Sequence, residues 1–296
     1  MPMLSIHHRT SYSFRENVSL SPHRLMLRPR EGRELRLLSH EILTSPMAEL
    51  TWSNDVFGNT ISSATFPTRS DNLVVDSFAM VDLKAPAWPV FDIAASAISY
   101  PFQYADVDWT DLGALTVQQY EDIDGRLAAW TRGFVAGSPT DTLSLLKDIS
   151  LGIASSISYQ SREEEGTQAP LRTVDRGWGS CRDFAVLFVE AVRSLGFGAR
   201  IASGYLFNPE GTATGSTNDG STHAWAEVFV PGAGWITFDP TNRSMGGANL
   251  IPVAVTRDIA TAIPVSGSFV GGAGAFISMN VTVTVRASDQ VPLTQT

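Results

Sequence analysis

The 296-residue chain has little of three things: cysteine, charge and long apolar runs. Its one cysteine cannot form an internal disulfide, which excludes a small secreted domain held together by disulfide bonds. Charged residues make up only 17% of the chain and hydrophobic residues 43%, and this composition excludes a disordered protein. The chain is therefore globular, and it has a single thiol whose purpose must be found.

Net charge and apolar segments limit the partners and the location. The 21 Lys and Arg against 30 Asp and Glu leave a net charge of −9, so the chain has no overall attraction for nucleic acid or an anionic membrane. The first residues lack the apolar stretch of a signal peptide. The most apolar late stretch, 269–279, is glycine-rich and shorter than the about 20 residues of a membrane span. We therefore expect a cytoplasmic protein.

The hydrophobic pattern predicts an α+β protein in three parts. Residues 1–105 are predicted to form an N-terminal antiparallel β domain, 106–250 the core, and 251–296 C-terminal strands that complete the fold. One such strand is expected over 275–285. In the N-terminal part, three segments rich in β-branched and aromatic residues are separated by turn residues: 42–52, 56–66 and 72–83.

Helical spacing begins in the core and then changes to a period of two. A first helix is predicted from an N-cap at Thr116 to Phe134, through Ile123, and a second helix begins at Asp141. A third helix follows Cys181, is apolar nearly all round and ends at Gly196. Three strands are predicted after it: 200–206, 222–230 and 235–239.

Cys181 is predicted to lie at the start of the third helix, directly after the sequence G-W-G-S. Free backbone N–H groups and the helix dipole stabilise a thiolate at this place and lower its pKa. A single free cysteine is more often a small buried apolar residue. The two glycines before Cys181 favour a functional role, because they allow a tight turn or a close backbone approach.

His223 begins the second strand and Asp239 ends the third. If Val230 pairs with Gly234 in the hairpin between these strands, His223 and Asp239 lie on the same face as diagonal neighbours. A shift of one residue would place them on opposite faces, so the prediction requires this register. In that arrangement Cys181 attacks an acyl carbon, His223 transfers the proton, and Asp239 fixes and stabilises the imidazole.

Five short motifs lie between residues 155 and 245: G-T-Q-A-P at 166–170, G-S-C-R-D-F-A at 179–185, G-Y-L at 204–206, H-A-W at 223–225 and D-P-T-N at 239–242. Together they resemble the bacterial transglutaminase-like superfamily. The N-terminal third is similar to the β domain that precedes this core in bacterial members, and V-A-V-T-R-D at 253–258 is similar to the family's continuation. The resemblance implies a papain-like α+β core with Cys181, His223 and Asp239 as the triad. It also implies that an aromatic residue upstream of the thiol helps form the oxyanion site, with Tyr159 as the first candidate and Trp178 as the second. The motifs of the N-terminal third are L-M-L-R-P-R at 25–30 and V-F-G-N at 56–59.

The triad predicts an enzyme that transfers an acyl group from an amide of a protein or peptide through a thioester. Water as acceptor makes it a protease or amidase, an amine makes it a transglutaminase, and the triad does not decide between them. We favour hydrolysis, because amine transfer requires water to be excluded. The alternative is a non-catalytic binding or scaffolding module that retains the fold.

The remaining polar features have structural interpretations. Arg182 and Asp183 are expected to fix the helix start rather than take part in catalysis, and the acidic run 163–165 to be a solvated loop. The polar, glycine-rich loop 208–221 precedes His223 and could act as a lid. We expect no cofactor: no calcium-type loop is visible, and His7 and His8 lack further ligands at the spacing of a zinc site.

Overall fold

The computed structural model describes residues 2–162, 166–216 and 219–288. The acidic run 163–165 and part of the loop 208–221 lie outside the described residues. Over the described ranges, none of the helices has the length and apolarity needed to cross a membrane.

Long antiparallel strands dominate the N-terminal part. One sheet has the order β17 (Phe269–Val270), β1 (Met3–Leu20), β6 (Ser70–Leu83) and β3 (Leu35–Ser45), with β18 (Phe276–Ala287) also paired to β1. A second sheet has the order β16 (Val265–Ser266), β2 (His23–Leu25), β5 (Thr60–Thr65) and β4 (Glu49–Asn54). The remaining strand before the core is β7 (Ser99–Tyr100).

The core places helices against one antiparallel sheet of order β14-β13-β12-β11-β15, while β9 and β10 form a short parallel pair. The helices are α1 (Asp106–Leu112), α2 (Arg126–Arg132), α3 (Thr142–Ser156), α4 (Pro170–Arg176) and α5 (Cys181–Ser194). The strands are β8 (Thr140–Asp141), β9 (Ser158–Tyr159), β10 (Trp178–Gly179), β11 (Ala199–Leu206), β12 (Ser221–Val230), β13 (Gly234–Asp239), β14 (Ser244–Met245) and β15 (Leu250–Thr256).

The C-terminal strands divide between the two parts of the molecule. β15 pairs with β11 in the core sheet, whereas the later strands return to the N-terminal sheets. These strands are β16 (Val265–Ser266), β17 (Phe269–Val270) and β18 (Phe276–Ala287). The long strand predicted over 275–285 is therefore present, but the proposed division at residues 105 and 250 stays a prediction.

α5 is the central helix of the core. From Asp183 to Arg193 every residue is buried, as its all-round apolar pattern predicts. The helix ends at Ser194, and Gly196 follows with φ +90°, the left-handed conformation that favours glycine after a helix. The predicted third helix is confirmed.

The N-terminal β region and the core share one continuous hydrophobic cluster. Leu4 and Val81 of the N-terminal sheet belong to the same buried cluster as Phe188 of α5. Beside it, the Asn59 amide donates to the Val255 carbonyl at 2.7 Å and accepts from the Val255 N–H at 2.9 Å. Asn59 belongs to the V-F-G-N motif, which therefore fastens the N-terminal region to the edge strand β15.

Two predictions about local structure are wrong. The first helix does not run from Thr116, because α2 begins only at Arg126 and Ile123 is 88% exposed. The Asp122 carboxylate accepts the early N–H groups of α2, and Gly125 adopts φ +63°, so the helical path cannot continue upstream. The N-terminal strand boundaries are shifted. The long strand β1 is not predicted, because two of its buried positions are the polar residues His8 and Thr10, which interrupt the apolar alternation.

Candidate active site

Cys181 is the first residue of α5, and its side chain is half-buried. Ser180 is the N-cap residue in extended conformation, and the short strand β10 leads into it. Gly179 is needed for this approach, because a Cβ there would lie 2.9 Å from the Asp183 Cβ. The sequence before the thiol therefore brings the backbone close to the helix it starts.

The buried Asp183 carboxylate holds the segments around this helix start together. It accepts from the Ser180 backbone N–H at 2.8 Å and the Ser180 hydroxyl at 2.9 Å. It also accepts from the Gln168 backbone N–H at 2.7 Å and forms an ion pair with Arg162 at 3.3 Å. These contacts explain the structural role expected for Asp183. Arg182 points its guanidinium to the Arg162 carbonyl at 3.4 Å and lies close enough to Cys181 to affect its pKa.

His223 and Asp239 lie on adjacent strands of the core sheet in the predicted register. Val230 pairs with Gly234 and Ala226 with Phe238, which confirms the pairing that the hairpin prediction required. The His223 Nε2 and the Asp239 Oδ2 are 2.8 Å apart, and both side chains are 1% exposed. Diagonal neighbours on one face thus meet through a hydrogen bond.

Cys181 contacts His223 from the helix side of the site. The two side chains lie close enough for each to shift the pKa of the other, and because Nε2 is engaged by Asp239, Nδ1 is the nitrogen left for the thiol. Burial opposes ionisation of the thiol, but the His223 hydrogen bond and charge outweigh it and lower the pKa of Cys181. The Ala224 backbone N–H acts in the same direction.

The imidazole is stabilised in its protonated form. Burial alone would lower the pKa of His223, but the charge and hydrogen bond of Asp239 and the contact with Cys181 raise it from 6.5 to about 10. The site therefore favours a thiolate beside an imidazolium at neutral pH. In this state the proton already lies on His223 before any substrate arrives.

Asp239 is held as a carboxylate by several donors. Burial alone would raise its pKa, but His223 and Asn242 outweigh this effect and lower it. The donors are the backbone N–H of Thr241 at 3.0 Å, and the backbone N–H and side-chain Nδ2 of Asn242 at 3.2 and 2.8 Å. The D-P-T-N segment thus wraps its own backbone around the first residue of the motif.

Tyr159 lies beside the thiol, and Trp178 has a different environment. Burial and the nearby Cys181 raise the pKa of Tyr159 to about 12, so its hydroxyl remains a hydrogen-bond donor at neutral pH. The Trp178 ring lies beneath the Arg176 guanidinium, 5.1 Å from its centroid, and the Trp178 carbonyl accepts from Gln168. The oxyanion role stays a prediction for both, with Tyr159 the better placed.

Two functional features were not identified from the sequence. Asn242 was recognised only as part of a motif, although its side chain contacts Asp239 directly. The covering loop, residues 208–216, folds back so that the Thr214 N–H donates to the Asn242 Oδ1 at 2.8 Å. The D-P-T-N motif was the available signal for Asn242, whereas nothing in the sequence relates position 214 to it.

A thiol at a helix start, opposite an imidazole and a carboxylate on an antiparallel sheet, defines the class: a cysteine-based catalytic fold. Two family models match this chain. Residues 4–82 match the bacterial transglutaminase-like N-terminal region, and residues 128–240 match the transglutaminase-like superfamily core. Both matches agree with the resemblance of the sequence motifs: a transglutaminase-like core preceded by the bacterial N-terminal region.

Similar proteins occur in mycobacteria. An uncharacterized protein of Mycobacterium tuberculosis H37Rv is 28% identical over 273 residues, covering 88% of this chain and 85% of the relative. An uncharacterized protein of Mycobacterium leprae is 22% identical over 287 residues, covering 94% and 96%. The crystal structure of a candidate cysteine protease from Cytophaga hutchinsonii covers 98% of this chain and 93% of its own, with a TM-score of 0.73 and 21% identity. This structural likeness confirms the predicted fold.

Proposed function

We propose that the protein is a cysteine-dependent acyl-transfer enzyme that acts on amide bonds of a protein or peptide and, with water as acceptor, hydrolyses them. The observation that supports this most strongly is the placement of the Cys181 thiol beside His223, whose Nε2 lies 2.8 Å from the Asp239 Oδ2. Buried charged side chains are costly unless they are paired, and this set places its reactive end at a half-buried thiol. Such an arrangement suits nucleophilic catalysis.

The first half-reaction forms a thioester. The Cys181 thiolate attacks the amide carbonyl carbon and forms the S–C bond, while the carbonyl electrons move to oxygen. As the tetrahedral intermediate collapses, the C–N bond breaks and the imidazolium of His223 gives its proton to the leaving nitrogen. Asp239 keeps the ring oriented and stabilises its charged form. Tyr159 is the proposed donor to the oxyanion.

The second half-reaction consumes the thioester. Neutral His223 removes a proton from the incoming acceptor, whose oxygen or nitrogen attacks the thioester carbon. The S–C bond then breaks, and thiolate and imidazolium are restored. We favour water over an amine, because water reaches a half-buried thiol without a specific binding site. We also retain the proposal that the reaction takes place in the cytoplasm.

The test uses a peptide library and mass spectrometry of the intact protein. After rapid acid quenching, the proposal predicts an acyl adduct on Cys181 of the wild type and none in Cys181→Ala. The reaction is repeated in ¹⁸O-labelled water, with and without a primary amine. Label in the released acid identifies hydrolysis, whereas an amine adduct of the acyl group identifies transfer.

The matched control is Ser194→Ala, at the far end of α5, which should keep wild-type labelling. Adducts and product formation that persist in Cys181→Ala would contradict the proposal. A folded wild type that forms no adduct and whose thiol titrates like an ordinary cysteine, near pH 8.5, would instead support the non-catalytic module.

A further inference from the structure

The Asn242 side chain connects the covering loop to the His223–Asp239 pair. Its Nδ2 donates to the Asp239 Oδ2 at 2.8 Å, the same oxygen that His223 contacts. Its Oδ1 accepts from the Thr214 backbone N–H at 2.8 Å. Only this amide orientation satisfies both partners, because a carboxylate accepts and a backbone N–H donates.

The covering loop lies across the site between Asn242 and Tyr159. Gly215 follows Thr214 with φ +75°, and a Cβ at this position would overlap the Tyr159 hydroxyl. Cys181 in turn lies close enough to Tyr159 to raise the pKa of the Tyr159 hydroxyl. Thr214 and Gly215 therefore connect the loop to both sides of the site. Thr214 contacts Asn242 on the imidazole side, and Gly215 lies against Tyr159 on the thiol side.

Building on the proposed function, we propose that Asn242 is a positioning residue with two separable roles: its Nδ2 fixes the Asp239 carboxylate that orients His223, and its Oδ1 holds the covering loop over the thiol. The inner hydrogen bond prevents the carboxylate from rotating away from the imidazole. The outer hydrogen bond restricts access. Substrate entry then requires the Thr214–Asn242 bond to open, while the inner bond keeps the catalytic geometry intact.

The single cysteine makes this proposal testable without a known substrate, because thiol reagents can label only Cys181. Iodoacetamide is small, and its pH–rate profile reports the fraction of thiolate. Fluorescein maleimide is bulky, and its rate relative to iodoacetamide reports access through the covering loop. The charged or titratable groups that bear on this thiol are His223, Arg182 and Tyr159, and all of them are unchanged in the variants.

Two substitutions separate the two bonds. Asn242→Ala removes both, and Thr214→Pro removes only the outer one, because proline has no backbone N–H. Thr212→Pro in the same loop is the matched control for Thr214→Pro. Asn54→Ala, at an exposed position of β4, is the control for Asn242→Ala. If Asn242→Ala does not fold, Asn242→Leu keeps the shape of the side chain without its polar atoms.

For Asn242→Ala we expect the acid limb of the iodoacetamide profile to move up by about one pH unit, because a less well oriented imidazole stabilises the thiolate less. For Thr214→Pro we expect an unchanged acid limb and a relative maleimide rate about threefold to tenfold higher. Both controls should match the wild type in both measurements.

Different results would overturn each of the two proposed roles of Asn242. A folded Asn242→Ala or Asn242→Leu protein with the wild-type acid limb overturns the positioning role. A Thr214→Pro protein with the wild-type maleimide ratio, or a Thr212→Pro protein with the same increase, overturns the role in holding the loop. The proposed function fails differently: the wild-type thiol itself would then titrate like an ordinary cysteine.

Discussion

Two buried aspartates stabilise the two sides of this site, and they do so in different ways. Asp183 is 0% and Asp239 is 1% exposed, and each accepts several hydrogen bonds. Asp183 accepts from the backbone N–H of Ser180, the N-cap residue of α5, and from the backbone N–H of Gln168, and it forms an ion pair with Arg162. Asp239 instead directs one of its oxygens to the His223 ring.

Because their partners differ, we expect Asp183 to act on the stability of the fold and Asp239 on the reactivity of the site. Asp183 connects segments that are distant in sequence and fixes where α5 begins, so its loss should act first on stability. Asp239 raises the pKa of His223 and thereby favours the thiolate of Cys181, so its loss should act first on reactivity. Two carboxylates of similar burial thus serve the two sides of one site.

Replacing Asp183 should have the largest effect, and this effect should be on the stability of the protein. Asp183→Ala removes the buried acceptor of the Ser180 and Gln168 N–H groups and the carboxylate paired with Arg162, and we expect a loss of about 3–5 kcal/mol in the free energy of unfolding. Urea denaturation followed by tryptophan fluorescence measures it. The exposed Asp148→Ala on α3 is the control and should stay within about 0.5 kcal/mol of the wild type. A similar small change in Asp183→Ala would remove the distinction between the two aspartates.

Replacing the catalytic carboxylate should leave a folded protein with little activity. Asp239→Asn removes the charge that stabilises the imidazolium, and we expect amide-cleaving activity to fall on the order of 10³-fold. The acid limb of Cys181 alkylation should move up in pH at the same time. Asp219→Asn, on the surface, is the control. Near-wild-type turnover in a folded Asp239→Asn protein would contradict the assigned role.

The pH dependence of the wild type tests the ion pair itself. Since the pKa of Cys181 is lowered, its alkylation by iodoacetamide should reach half of the maximal rate below pH 8.5. An ordinary thiol reaches half of its maximal rate at about pH 8.5. Since the pKa of His223 is raised to about 10, turnover should persist above pH 7 and fall as the pH passes about 10, where the imidazolium loses its proton. A descending limb near pH 7 would show that Asp239 does not stabilise the charged ring.

The smallest effect concerns the covering loop. Gly215→Ala should change the rate of maleimide labelling by only a few fold, because the loop shifts to relieve the overlap with Tyr159. Gly234→Ala is a close control: its φ of +73° carries the same backbone strain, but nothing lies within 4 Å of the added Cβ. Equal labelling rates in the two variants would exclude a contribution from the Tyr159 contact.

Local patterns were sufficient to predict much of the site. The all-round apolar run after Cys181 predicted α5, and the period-two strands with their three-residue turn predicted the face shared by His223 and Asp239. These features depend on residues close together in sequence. The catalytic roles of the three residues stay predictions, as do the oxyanion candidates.

Other features depend on contacts that the sequence pattern does not report. The ion pair between Arg162 and Asp183 joins separate segments, and the bond from Thr214 to Asn242 depends on how a loop folds back. The helix predicted from Thr116 failed for a related reason. Its spacing was helical, but Asp122 and Gly125 provide a cap and a left-handed turn that start α2 later.

The pairing of β1 with β18 has a consequence for how the protein is made. Leu4 pairs with Ala287 and Phe14 with Phe276, so two strands far apart in sequence are neighbours along most of their length. During synthesis on the ribosome, this edge of β1 must wait until β18 has emerged. Until then its N–H and C=O groups are open to pairing with other chains, and contacts between such distant residues form slowly. We therefore expect the newly made protein to depend on chaperones more than a chain that consisted of the core alone.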